Sequence, residues 1–342
     1  MKEEGFEQGK CQTFYNGSLK KSDVACRVTL KWENHTPYRL ITASLLSRPE
    51  DYLSIYQSGC NLSCLKCHSW EFTKFKKGRW TSPDDVAEWA KRYAEIVTVR
   101  EPRDRATSFH AHDLCHHCGT CVRSNKRSAI CPNRLEPNQI LLSFQGYGPA
   151  RNIVSFTGGD LACNPEWYLL AAERIKEMDL GLWVLFETNG YGLTRGNLDK
   201  MRRSGIDSFW LDIKAYDPEV HKKLTGVDNR WILRLPEEIL ARGFVLEVLT
   251  LFIPGWVEID EIKMISKHLS KIDPRIPFTI LAFFGEYKLK NNPSPTFEQM
   301  ILAYKVAKDA GLVNVRLGNL GQFVRNQKEY MTVLKLNAET FC

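Results

Sequence analysis

Three cysteines, Cys60, Cys64 and Cys67, fall within eight residues at C-x3-C-x2-C spacing. Thiolates are soft ligands that suit iron–sulfur clusters or zinc. A structural zinc site usually takes four ligands, in two separated pairs. Three thiolates on one loop leave a coordination position open, so something else is expected to bind there. A second group follows: Cys115, Cys118 and Cys121 at C-x2-C-x2-C, then Cys131-Pro132. The bacterial ferredoxin run is C-x2-C-x2-C-x3-C-P, and here the last interval is nine residues. Four thiolates suffice for one complete [4Fe–4S] cluster. A zinc knuckle with the same four ligands is the other reading, although the close triplet favours iron. His110, His112, His116 and His117 share this stretch and read as loop residues, since four thiolates already close the site. Cys11, Cys26, Cys163 and Cys342 are left over and read as small buried hydrophobes.

These residues must be held by regular elements. The apolar, β-rich run Tyr52-Leu53-Ser54-Ile55-Tyr56 places the first cysteine loop just after a strand. From residue 150 strands and helices alternate. Strands are expected over Asn152–Thr157, Leu182–Thr188, Ser208–Ile213, Phe244–Phe252, Phe278–Phe283 and Val313–Leu317. Helical patterns lie between them, as at Glu166–Met178 and Phe297–Ala310. Such alternation predicts an α/β fold, a partial or full (β/α) TIM-like barrel with a parallel sheet. Ser82-Pro83-Asp84-Asp85 is a helix start. Val28–Trp32 and Tyr38–Ile41 read as a hairpin that covers a barrel edge. The expected organisation is an N-terminal β extension over 1–50, the barrel's start with the cluster loop over 51–97 and a ferredoxin-like cysteine-rich insert over 98–135. The rest of the barrel spans 150–320 and a C-terminal tail 321–342.

On such barrels the chemistry sits at the C-terminal ends of strands. Three further motifs fall there: Thr157-Gly158-Gly159-Asp160, Glu187-Thr188-Asn189-Gly190 and Asp212-Ile213-Lys214. The glycines let the backbone approach a ligand closely. By itself each motif reads equally as a turn, a solvated loop charge or a helix cap.

Together with Cys60, Cys64 and Cys67, these motifs resemble the radical S-adenosylmethionine (SAM) superfamily. More narrowly, they resemble its activating-enzyme branch: the activases of glycyl-radical enzymes and the AmmeMemoRadiSam proteins. The resemblance implies that Cys60, Cys64 and Cys67 hold a [4Fe–4S] cluster whose fourth iron takes SAM. It implies that Gly158, Gly159 and Asp160 receive the methionine amino group, with Asp160 replacing the commoner Glu. It also implies that Glu187, Thr188, Asn189, Asp212 and Lys214 line the SAM pocket. An acid there can accept from ribose hydroxyls and a lysine can pair with the methionine carboxylate. No further catalytic residue is singled out. Cys115, Cys118, Cys121 and Cys131 are expected to hold a second, auxiliary cluster that relays electrons or orders the insert.

The resemblance departs at Ala282–Leu289, which has no histidine where activases carry a tyrosine–histidine pair, and in the four-cysteine insert. The overall layout resembles archaeal, methanogen-type enzymes, in particular the cobalamin-dependent glutamine C-methyltransferases of methyl-coenzyme M reductase. The function expected first is therefore Cα-methylation of a glutamine with cobalamin. The alternative is a glycyl-radical activating enzyme without it. A non-enzymatic iron–sulfur electron carrier is a remote third. No Asp-x-His-x-x-Gly run appears, so any cobalamin must sit in a pocket made by the terminal segments and the insert. The implied partners are a protein or peptide substrate and an electron donor such as ferredoxin or flavodoxin.

Composition sets bounds on these readings. At 342 residues, 43% hydrophobic and 25% charged, the chain reads as globular. Its +7 charge is dispersed, so no nucleic-acid partner is expected. Phe244 to Trp256 is too short and polar for a membrane span. Eleven cysteines with no signal-peptide pattern point to metal or redox chemistry in the cytoplasm.

Overall fold

Seven parallel strands form the centre of the computed structural model, which describes residue 6 and residues 9–15 and 21–338. They are β1 (Leu53–Gln57), β2 (Ile153–Gly158), β3 (Trp183–Thr188), β4 (Ser208–Asp212), β5 (Val245–Phe252), β6 (Phe278–Ala282) and β7 (Val315–Gly318). Each hydrogen-bonds to the next in chain order. Parallel neighbours need crossovers, and helices such as Glu166–Glu177, Arg195–Arg203, Ile259–Ile272 and Phe297–Asp309 supply them. Among the described residues the sheet does not close. On its far side β1 takes the antiparallel strand Thr36–Leu46, which in turn pairs with Leu30–Glu33 and Arg79–Thr81. The architecture is thus a partial barrel with a β extension at its first edge.

Aromatic side chains fill the layer between sheet and helices. Phe156, Phe186 and Phe209 point outward and are fully buried. Tyr168 lies 4.6 Å from Phe186, and Phe244 lies 4.9 Å edge-on to Phe209. Each such ring contributes roughly 1.5–3 kcal/mol by leaving water. The helix Pro83–Ala94 starts as its sequence predicts, with a reciprocal capping box between Ser82 and Asp85 and proline in the first turn. The second strand of the N-terminal hairpin runs longer than expected, over Thr36–Leu46, while the first starts two residues later than expected, because Val28 and Thr29 belong to the helix Ala25–Thr29. Ala25, Val28 and Thr29 are its buried residues, an i, i+3, i+4 face that the apparent alternation concealed.

The insert occupies an unexpected place. Residues 101–113 run across the N-terminal ends of the strands. Ser208 Oγ donates to the Ala106 carbonyl at 2.5 Å, and the Phe109 N–H donates to Glu247 Oε2 at 2.8 Å. Arg316, at the start of β7, pairs with Asp113 and the Phe109 carbonyl. Arg151, fully buried just before β2, pairs with Glu101 and donates to the carbonyls of Arg105 and Thr107 at 2.7 Å each. The insert's first half is therefore a plug in the bottom of the barrel. After the small hairpin Leu141–Ser143/Gly146–Gly148 the chain re-enters the sheet at β2. The C-terminal segment forms the helix Gln327–Ala338, where Asn337 bonds both to the N–H and to the carbonyl of Leu317. Among the described residues no helix is long and apolar enough to cross a membrane.

Candidate active site at the strand ends

The loop after β1 turns at Gly59, whose φ of +79° suits glycine. It is tied to the fold on every side. The N–H groups of Asn61, Ser63 and Leu65 donate to the carbonyls of Asp160, Thr225 and Leu224 at 2.8, 3.0 and 2.8 Å. Buried Lys74 reaches in from the following helix to the Leu62 carbonyl at 3.0 Å. A latch holds the far side: Glu286 bonds His68 Nδ1 at 2.9 Å, and the Lys66 ammonium lies 3.6 Å above the Phe284 ring. Glu286, Phe284 and Tyr287 follow β6, and Tyr287 stacks on Trp70 at 5.3 Å. Sequence reading missed these partners, because nothing local links residues over 200 positions apart.

The three expected motifs converge on this loop. Gly159 donates to the Gln57 carbonyl at 2.8 Å, and a Cβ at Gly159 would lie 2.1 Å from the Gly59 carbonyl oxygen. Only glycine lets the two loops approach so closely. Asp160 is buried, and both its oxygens already accept: Oδ1 from Ala162 N–H at 2.7 Å, Oδ2 from Thr188 Oγ1 and Asn189 N–H at 2.8 and 2.9 Å. Its carboxylate thus shapes the neighbouring loop. Asn189 Nδ2 donates to Asn61 Oδ1 at 2.8 Å and points at Cys60 Sγ from 3.7 Å. Glu187 faces the lumen, accepting from Tyr52, Ser155 and Thr157 hydroxyls at 3.0, 2.7 and 2.5 Å. Burial pushes its pKa up to about 7.

At β4, Lys214 pairs with Asp212 Oδ2. Burial opposes the lysine's charge, yet Asp212 and the Cys64 thiol beside it carry its pKa above the usual lysine range. Burial pushes Cys60 up to about 11 and Cys64 up to about 12, with Lys214 working against the rise at Cys64. Buried thiols beside ammonium groups gain most when a metal centre takes their protons' place. Asp212 Oδ1 and His221 Nε2 are buried without a hydrogen-bond partner among the described residues. The Nδ1 of His221 is held by the Val227 carbonyl at 2.9 Å. Two orphaned polar atoms beside a thiol loop fit a polar ligand such as SAM. His221 carries no motif of its own, and only its position in space brings it forward.

Cys115, Cys118, Cys121 and Cys131 line one small cavity. The His117 N–H donates to Cys115 Sγ at 3.3 Å, Ser128 lies 3.4 Å from Cys118 Sγ and Arg127 lies 3.9 Å from Cys131 Sγ. Donors aimed at sulfurs fit an anionic cluster. The histidines have other roles: His117 is held by Asp51 at 2.9 Å and His110 by Asp113 at 3.0 Å. Asp51 precedes β1, so this group lies at the opposite end of the strand from Cys60. Among the described residues, no three His, Cys, Asp or Glu side chains gather round one point as ligands of a single ion do. A four-iron cluster instead takes one thiolate per iron, at wider spacing. Between the insert, β7 and the C-terminal helix lies a cavity of about 960 Å³, with His116, Arg316, Asn319 and Tyr330 in its wall. It extends to Phe284, next to the cluster loop.

A family model described as Radical SAM superfamily matches residues 113–269, which include the motifs after β2, β3 and β4 but not the Cys60 loop. A protein of Methanocaldococcus jannaschii, named as a glycyl-radical enzyme activating enzyme, is 32% identical over 133 residues, 38% of this chain and 50% of that one. The 4-hydroxyphenylacetate decarboxylase activating enzyme of Clostridium scatologenes is 25% identical over 197 residues, 53% of this chain and 60% of that one. The chain thus spans about half the length of the curated relatives it matches. In fold it is similar to Streptococcus suis SuiB bound to precursor peptide SuiA, with a TM-score of 0.50 at 13% identity over 80% of this chain and 50% of that one.

Proposed function

Because the chain belongs to the radical SAM superfamily, we propose that it takes a hydrogen atom from a protein partner, as an activating enzyme of a glycyl-radical enzyme. The observation that carries this reading is the pair of relatives named as activating enzymes. The relatives' names favour activation over the cobalamin-dependent methylation that the overall layout suggested. A [4Fe–4S] cluster with SAM supplies, on receiving one electron, a 5′-deoxyadenosyl radical and methionine. The chain's own residues prepare that step. Cys60, Cys64 and Cys67 are the thiols for the cluster, and Lys214 and Lys74 offset the negative charge of their thiolates. Asn189 and Asn61 orient the loop around Cys60. Asp212, Lys214 and His221 present charge and unpaired polar atoms to SAM, and the Gly158-Gly159 backbone leaves room for it. The cavity of about 960 Å³ between the insert, β7 and the C-terminal helix would receive the peptide segment, and it reaches Phe284 beside the cluster loop.

One observation favours the methyltransferase as a second reading. The large cavity lies between the insert and the C-terminal segment, where a cobalamin pocket was required. The two readings separate in one experiment. Anaerobically reconstituted protein is given SAM, dithionite and peptides deuterated at the α-carbon of either glycine or glutamine. Deuterium in 5′-deoxyadenosine from the glycine peptide alone supports activation. Deuterium from the glutamine peptide, with methyl transfer that depends on added cobalamin, overturns it. No 5′-deoxyadenosine from any condition overturns both.

A further inference from the structure

Three lysines that lie apart in the sequence meet on the β extension, interleaved with aromatic rings. Lys21 Nζ lies 5.3 Å from the centre of the Tyr15 ring, and Lys76 Nζ lies 5.9 Å from the same ring. Lys76 also lies 5.6 Å from the Trp80 ring, over which Lys31 sits at 4.9 Å. Lys31 then reaches the ring of Tyr38 at 5.1 Å, its partner across the antiparallel pair of Leu30–Glu33 and Thr36–Leu46. Three ammonium groups and three rings thus form one continuous row, each step within the range of a cation–π contact. Such contacts hold long side chains in place without neutralising their charge. Lys21 is exposed, and Lys31 and Lys76 are half-buried. Among the described residues, Lys31 alone of the three has an acid partner, Glu33 at 2.6 Å.

This row is built onto the cluster loop. The Phe14 N–H donates to the Lys74 carbonyl at 2.7 Å and the Lys76 N–H to the Phe14 carbonyl at 2.8 Å, so the strand Gln12–Phe14 is stitched to the segment that follows the loop. Thr13 Oγ1 donates to the Thr73 carbonyl at 3.1 Å, and Thr73 Oγ1 lies 3.5 Å from Cys67 Sγ. Three residues of chain, at most about 11 Å, separate Thr73 from Lys76. The row therefore approaches the loop at Cys67. The motifs expected to bind SAM approach it elsewhere, as Asn189 does 3.7 Å from Cys60 Sγ. The large cavity reaches it past Phe284. A protein seated on the row would thus stand beside the cluster without filling either space.

We propose that the row of Lys21, Lys76 and Lys31 with their rings is the docking surface for an acidic iron–sulfur protein of the ferredoxin kind, which gives the Cys60 centre its electron. The step moves one electron and no atom. The carrier's reduced cluster is oxidised by one electron, and the cluster held by Cys60, Cys64 and Cys67 is reduced by one. Electron tunnelling falls off steeply with distance, so the carrier must seat next to the loop. Exposed lysines draw an acidic partner into that encounter and set its orientation. A nucleic acid fits the row less well. Bases stack on open ring faces, whereas Tyr15 and Trp80 each have two lysines over the ring. The proposal rests on the radical SAM reading of the Cys60 loop and is independent of what the radical attacks.

The test is an anaerobic calorimetric titration of the full reconstituted chain with an acidic bacterial ferredoxin. Affinity should fall at least about tenfold as salt rises from about 0.05 to 0.3 M, because exposed charges are screened. The combined variant Lys21→Glu, Lys31→Glu and Lys76→Glu should lose at least about tenfold in affinity at low salt, with its iron count unchanged. Arginine at the same three positions should keep the binding. With reduced ferredoxin the glutamate variant should form at least about tenfold less 5′-deoxyadenosine per unit time, while dithionite should drive it as fast as the wild type. No binding to the wild type, or equal affinity in wild type and glutamate variant, overturns the proposal. So does a transfer RNA that binds in place of ferredoxin and is lost in the same variant. If dithionite yields no 5′-deoxyadenosine even from the wild type, the radical chemistry fails, and the titration still decides the docking surface.

Discussion

At the scale of the residue, Lys214 is the side chain on which the proposed SAM site turns. It stands between Asp212 and Cys64, and its positive charge is stabilised by both. Lys214→Gln removes a charge-assisted contact of about 1.5–3 kcal/mol. Its affinity for SAM should fall at least about tenfold, read by equilibrium dialysis of the reconstituted protein against labelled SAM. An unchanged affinity would remove Lys214 from the site. Gly159 makes a different demand. Gly159→Ala drives a methyl group into the Gly59 backbone, so the cluster loop must shift. A loss of about 1–3 kcal/mol of stability is expected, together with faster release of iron to a chelator. Melting and chelation time courses identical to the wild type's would show that the loops need not touch.

At the scale of the element, the insert is joined to the barrel through Glu247. Burial pushes this carboxyl from its ordinary 4.5 up to about 7, while hydrogen bonds from Thr279 and Phe109 and the nearby Arg316 charge work the other way. Between these values the folded chain keeps a proton that the unfolded chain has released. Wild-type stability therefore falls as pH rises from about 4.5 to 7, by up to about 3 kcal/mol. Glu247→Gln does not titrate, so relative to wild type it should gain stability at pH 8 and not at pH 5. Urea unfolding at both pH values measures this, and a gain of equal size at both would place the cause elsewhere.

At the scale of the whole molecule, the two main cysteine groups occupy opposite ends of the barrel. The Cys60 loop follows β1, while the Cys115 group is tied to Asp51, which precedes it. Five residues of strand separate them by about 17 Å. That distance suits an auxiliary cluster that orders the plug. Phe109 is the buried core of that plug. Phe109→Ala should cost about 3–5 kcal/mol, seen as a lower melting temperature in the reconstituted chain. Cys118→Ser, by removing one ligand of the proposed auxiliary cluster, should sensitise the same region to proteolysis while sparing the iron proposed at Cys60. Protease resistance equal to the wild type's would mean that the plug holds without the cluster.

Much of this was legible in the chain. Ligand spacing is a local property, so Cys60, Cys64 and Cys67, and the Cys115 group, stand out from the sequence alone. Alternation of apolar residues is local too, and each of the six strands expected after residue 150 exists, shifted by at most two residues at its start. Helical burial at Ala25, Val28 and Thr29 misled the pattern, because β-branched residues resemble a strand until one face is covered. Tertiary structure alone decided the rest. It turned Asp160 inward to hold Thr188 and Asn189, orphaned His221 Nε2, and sent the insert to the bottom of the barrel. Those outcomes depend on which surfaces meet, and no spacing along the chain encodes that.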